Sequence, residues 1–192
     1  MNWVKRILRL AEFSEGAGIA RRYFVVNGFD GALSMLGIIT GFFLGGTTDF
    51  DVVVGACMGG AVALFMSGIS SAYISESAER QRDLAEIEQA MARDLSDTDH
   101  GRAARWTPWV IGVINGLSPL IISLLIILPI ILHIGGLQFP WSPLLTSMTT
   151  GMALMFLLGV FLGRIGGGHW LLSGGKALLV GLVTLGIIWL VD

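Results

Sequence analysis

The sequence predicts an all-α integral membrane protein: five transmembrane helices, N-terminus cytoplasmic, C-terminus outside, and a short cytoplasmic helix between helices 2 and 3. Three observations carry this. The 192 residues are 54% hydrophobic and only 14% charged, with mean hydropathy +0.76, more apolar surface than a soluble domain of this size can bury. Five apolar stretches are each long enough to span a bilayer. With the N-terminus inside, all 12 Lys and Arg residues fall on or near the inner side, and the outer loops contain none.

Residues 1–22 read as an amphipathic interfacial helix. Trp3, Ile7 and Leu10 recur at helical spacing, with Lys5, Arg6, Arg9 and Glu12 elsewhere. The basic residues interrupt the apolar ones, so the stretch does not read as a signal peptide. Arg21 and Arg22 mark the membrane edge.

Residues 23–74 contain the first two spans, Tyr23–Gly46 and Val52–Ile74, joined by a short acidic connection with Asp49 and Asp51. Residues 75–105 form a charged cytoplasmic helical segment. Residues 106–192 hold the last three spans: Trp106–Ile134, with kinks expected at Pro119 and Pro129, then Pro143–Arg164 and Trp170–Val191. Asn27–Ser34 and Gly112–Ser118 form a weak internal repeat. Aligning Asp30-Gly31 on Asn115-Gly116 places Leu and Ser just after both, a parallel repeat of a kind known in transporters.

The first span sets the functional question. It carries Asp30, and a charge deep in a span costs upward of ~2.5 kcal/mol, so it reads first as functional. Asp30, Ser34, Gly37, Gly41 and Gly45 share one helical face. Small residues pack against helices rather than lipid, which directs Asp30 toward protein or a polar cavity. The Gly37/Gly41/Gly45 ladder permits close approach of a second copy or of another helix of the same chain.

At ~1.5 Å rise per residue, Asp30 lies about 12 Å inside Arg22. Met66 and Asn115 lie about 15 Å in on the second and third spans. A carboxylate suits hard divalent ions, and a thioether adds preference for softer first-row metals such as Fe²⁺. Ser34 and Met35 are further candidates for a translocation path. Met66 and Met35 as core filler, and Asn115 as an interhelical hydrogen-bonding group, are the competing readings.

The second cluster is cytoplasmic. Glu76, Glu79, Asp83 and Glu86 form one acidic helical stripe, with Leu84, Ile87, Met91 and Leu95 beside it. Stacked carboxylates gather divalent cations, unless Arg80, Arg82 and Arg93 neutralise them as a solvated face. His100, His133 and His169 show no ligand spacing. Lys176 snorkels to the inner interface. The single cysteine, Cys57, excludes an internal disulfide. No phosphate-binding loop, nucleophile constellation or nucleic-acid signature is present, and no cofactor is expected.

These residues resemble the vacuolar iron transporter family. Its first helix carries an Asn-Asp-Gly-like segment followed by Leu and Ser, and Phe29-Asp30-Gly31-Ala32-Leu33-Ser34 looks like it. Its second helix ends in a Tyr-hydrophobic-Ser segment leading into a charged helix. Tyr73-Ile74-Ser75 followed by Glu79-Arg80-Gln81-Arg82-Asp83 is similar. Leu158-Gly159, Arg164, Lys176 and Val180-Gly181 fit the end. The chain departs from the family in having Ala72 where Glu is usual, Met66 further from the Tyr, and a shortened cytoplasmic metal-binding insert.

The resemblance implies a homodimeric exporter of ferrous iron or related divalent metals such as manganese, coupled to proton entry. In that picture Asp30 is the translocation acid and Met66 resembles the second-helix metal contact. Glu76, Glu79, Asp83 and Glu86 form a reduced metal-gathering stripe. A compact chain of this kind suits a prokaryotic plasma membrane. The alternative is a non-transporting scaffold whose charged cytoplasmic helix binds a partner protein.

Overall fold

A computed structural model describes residues 16–191. Most of the interfacial helix expected over residues 1–22, namely residues 1–15, lies outside the described residues. The described chain is all α-helix and turn: α1 (Gly16–Leu44), α2 (Phe50–Met91), α3 (Asp99–Ile134), α4 (Pro143–Ile165) and α5 (Trp170–Val191). All five are long and apolar enough to cross a membrane.

The apolar pattern locates the spans well, but three helices run past the expected membrane edge. The charged segment is not a separate helix. It divides into the end of α2, a turn and the start of α3. The reason is propensity. From Ile69 to Ala92 the chain has no Gly or Pro and is rich in Ala, Glu, Arg and Gln, so nothing stops the helix when hydropathy falls. At ~1.5 Å per residue the 42 residues of α2 reach about 63 Å, twice a ~30 Å hydrocarbon layer. α1 likewise begins at Gly16, before the expected edge at Tyr23. α3 runs unbroken through Pro108, Pro119 and Pro129.

α2 ends in a Schellman cap. Ala92 takes φ 48°, Arg93 N–H donates to Glu88 O at 3.2 Å and Ala92 N–H to Gln89 O at 3.3 Å. The turn to α3 is tied by Leu95 N–H to Glu88 Oε1 at 2.9 Å, Ser96 N–H to Asp94 Oδ1 at 2.8 Å and Arg105 to Ser96 O at 2.9 Å. Ser142 caps α4 by accepting from Leu145 N–H at 3.3 Å, with Pro143 in the first turn where its missing N–H costs nothing.

The chain forms two compact units. One contains α1 up to Phe24 together with Phe65–Leu117, and the other contains Val25–Leu64 with the chain from Ser118 onward. In the first unit, α2 and α3 cross at glycines. A Cβ on Gly68 would lie 2.9 Å from Gly116 Cα, and one on Gly116 would lie 2.5 Å from Phe65 O. Only hydrogen fits at that distance.

The second unit holds the apolar core: Met35, Leu36 and Ile39 of α1, Val53 and Cys57 of α2, Ile126, Ile127 and Ile130 of α3, and Leu144 and Met155 of α4. α1 meets α3 here through its glycines. A Cβ on Gly31 would strike Pro119 at 2.8 Å, and one on Gly28 would lie 3.2 Å from Ser118 Oγ. The two arms of the weak repeat thus meet at Gly28 and Ser118, and Gly31 meets Pro119 just past the second arm. α5 packs on α4, with Gly159 against Ala177 and Gly181 against Met152.

Candidate functional site

Asp30 lies in the second unit, on the membrane-spanning part of α1, and its side chain is exposed on the surface of the chain. The opposite side of α1 supplies Ala32, Met35, Leu36 and Ile39 to the core. The small-residue face follows Asp30 outward. Ser34 and Gly37 are half-buried, while Gly41 and Gly45 are exposed. Among the described residues, a Cβ on Gly41 would meet nothing within 4 Å, and one on Gly37 would meet only Ile188 Cδ1 at 3.8 Å. Of the two partners the ladder permits, a helix of the same chain does not cover Gly41 among the described residues. Helix periodicity identified the face, but α1 turns its larger apolar residues inward.

The other membrane candidates divide. Met35 is fully buried in the apolar core, the filler reading. Asn115 is buried in the first unit, and its Nδ2 donates to Gly68 O at 2.7 Å across the α2–α3 crossing. Met66, also in the first unit, is 56% exposed.

The acidic stripe breaks up in the same way. Glu76 is 4% exposed. Its Oε1 accepts from the Tyr23 hydroxyl at 3.3 Å, and its Oε2 faces Arg80 Nε at 3.6 Å. Neither Oε2 nor that Nε has a hydrogen-bond partner among the described residues, so the contact is a loose buried ion pair. Glu86 is engaged by Arg82 at 3.0 Å. Glu79 and Asp83 are exposed and form no ion pair among the described residues. Also among the described residues, no group of three or more His, Cys, Asp and Glu comes together to hold a metal ion. The arginines interleaved four residues from their acids are what disperses the stripe.

Two features escape the sequence. Tyr23 is 53 residues from its partner Glu76, a separation no local pattern bridges. A cleft of about 200 Å³ opens between the α2 extension and the start of α3. Leu84, Ile87, Ala103 and Ala104 give it an apolar lining, and Arg80, Asp83, His100 and Thr107 a polar one. In the turn beside it, the Ser96 N–H holds the Asp94 carboxyl below the usual carboxylate range.

No family model matches the chain, and no solved structure matches it. The chain is similar to the uncharacterized protein MJ0645 of Methanocaldococcus jannaschii, with 30% identity over 159 residues, covering 81% of this chain and 79% of that protein. Five spanning helices and this shared length make it a multi-pass membrane protein. It belongs to the same family as that archaeal protein.

Proposed function

We propose that the protein is a homodimeric, proton-coupled transporter that exports divalent iron or manganese from the cytosol, and that it works in a prokaryotic plasma membrane. The observation that carries this reading is Asp30: an ionisable side chain exposed on a membrane-spanning helix face. Lipid is the wrong neighbour for it by at least ~2.5 kcal/mol. A second copy packed on the open Gly41/Gly45 face would remove Asp30 from lipid and pair two carboxylates along one path. A carboxylate binds a proton or a divalent cation, and each displaces the other, which is the chemistry exchange needs. The resemblance of Phe29–Ser34 to the first-helix segment of vacuolar iron transporters supports the same assignment.

The test is metal-driven proton flux in proteoliposomes across Fe²⁺, Mn²⁺, Co²⁺ and Zn²⁺. Wild-type protein carries Fe²⁺ or Mn²⁺ against a counterflow of protons, and Asp30→Asn abolishes both while melting like wild type. Undiminished flux in Asp30→Asn sinks the reading. The cleft on the α2–α3 hairpin supports a second reading, a non-transporting scaffold that binds a partner protein there. No metal-dependent flux from any preparation would favour it.

A further inference from the structure

We propose that residues 1–10 of this chain dock into the cleft between the α2 extension and the start of α3, as an intramolecular strap steered by charge. The cleft lies entirely within the first unit. Its apolar lining continues along α2 as Leu84, Ile87 and Met91, the last two 40% and 58% exposed. That is a seam spaced to receive the apolar face of another helix. Beside it stand Glu79 and Asp83, exposed and outside any ion pair among the described residues, and Glu86.

Tyr23 of α1 touches Glu76 of α2, and consecutive spans run in opposite directions. Going back from Tyr23, α1 starts at Gly16, seven residues away, or about 10 Å along the axis. Going forward from Glu76, the same seven residues lead to Asp83, in the cleft wall. The segment that precedes Gly16 therefore departs at the level of the cleft.

Its chemistry complements the cleft. Trp3, Ile7 and Leu10, four and three apart, carry the spacing of Leu84, Ile87 and Met91 in reverse order. Lys5, Arg6 and Arg9 are the only charged side chains in residues 1–10, against Asp83 of the cleft wall and Glu79 one turn before it, while Arg80 in the lining faces Glu76. The inference does not depend on transport. It replaces the membrane surface with the hairpin as the partner of this segment.

Full-length protein carrying Ile7→Cys and Ala104→Cys, with Cys57→Ser to clear the background, tests it in proteoliposomes. Oxidation should give a disulfide within one chain. Lys5→Glu with Arg9→Glu, or high salt, should slow its formation about tenfold. An environment-sensitive label on the single Ile7→Cys variant supplies a second readout that needs no crosslink. It should resist quenching by brominated lipid. Strong lipid quenching without a crosslink would place the segment on the membrane and overturn the proposal. So would a crosslink only between copies, or one indifferent to the charge reversals.

Discussion

Asp94 and Ala92 show how single residues hold the turn between α2 and α3. Asp94 accepts the Ser96 N–H at 2.8 Å, which lowers its folded-state pKa. A carboxyl lowered on folding adds stability above its unfolded value, near ~4, and loses that contribution as pH falls through the folded value. Asp94→Ala should therefore speed hydrogen exchange at Ser96 at neutral pH. Its difference from wild type in protection should close as the solution is acidified below the ordinary carboxylate range. Ala92 sits at φ 48°, a conformation that costs a residue with Cβ about 1 kcal/mol. Ala92→Gly should stabilise the turn by about 0.5 kcal/mol, part of the relief being offset by the entropy of the unfolded glycine. Thermal unfolding of the two proteins in the same detergent measures it.

At the scale of elements, two sets of glycines that look alike in sequence have opposite meanings. Gly68 and Gly116 sit where backbones touch. Gly116→Val should cost about 3 kcal/mol or more, because the obstacle is the Phe65 carbonyl and not a side chain that can move. Loss of folded protein on size exclusion reads it out. The same crossing explains Asn115. Its depth in the third span marked it as a candidate, and its amide closes a helix–helix hydrogen bond, the competing reading. The acidic stripe was equally legible as a pattern of Glu76, Glu79, Asp83 and Glu86. Its dispersal required knowing that Glu76 is buried against Tyr23, a contact fixed by how the two helices meet.

For the whole molecule, the open face of α1 is the decisive surface. Gly41→Leu should leave the fold of the single chain intact, because a Cβ there meets nothing within 4 Å. It should abolish the proposed dimer and transport together. Mass measurement in lipid nanodiscs alongside flux reads both, and a transporting dimer of Gly41→Leu would remove α1 from the interface. Gly116→Val and Gly41→Leu thus separate folding from assembly within one class of substitution.

Sequence alone determined the number of spans and their order, because apolar length is a local quantity that the bilayer reads directly. It also singled out Asp30, since an acid within an apolar run is conspicuous wherever the helix turns. Tertiary structure alone decided which face of α1 stays open, which glycines touch backbone, and that Glu76 meets Tyr23 and Arg80 in a buried cluster. The physical reason is that helical periodicity defines faces relative to one another. Packing against other helices decides which of those faces is covered.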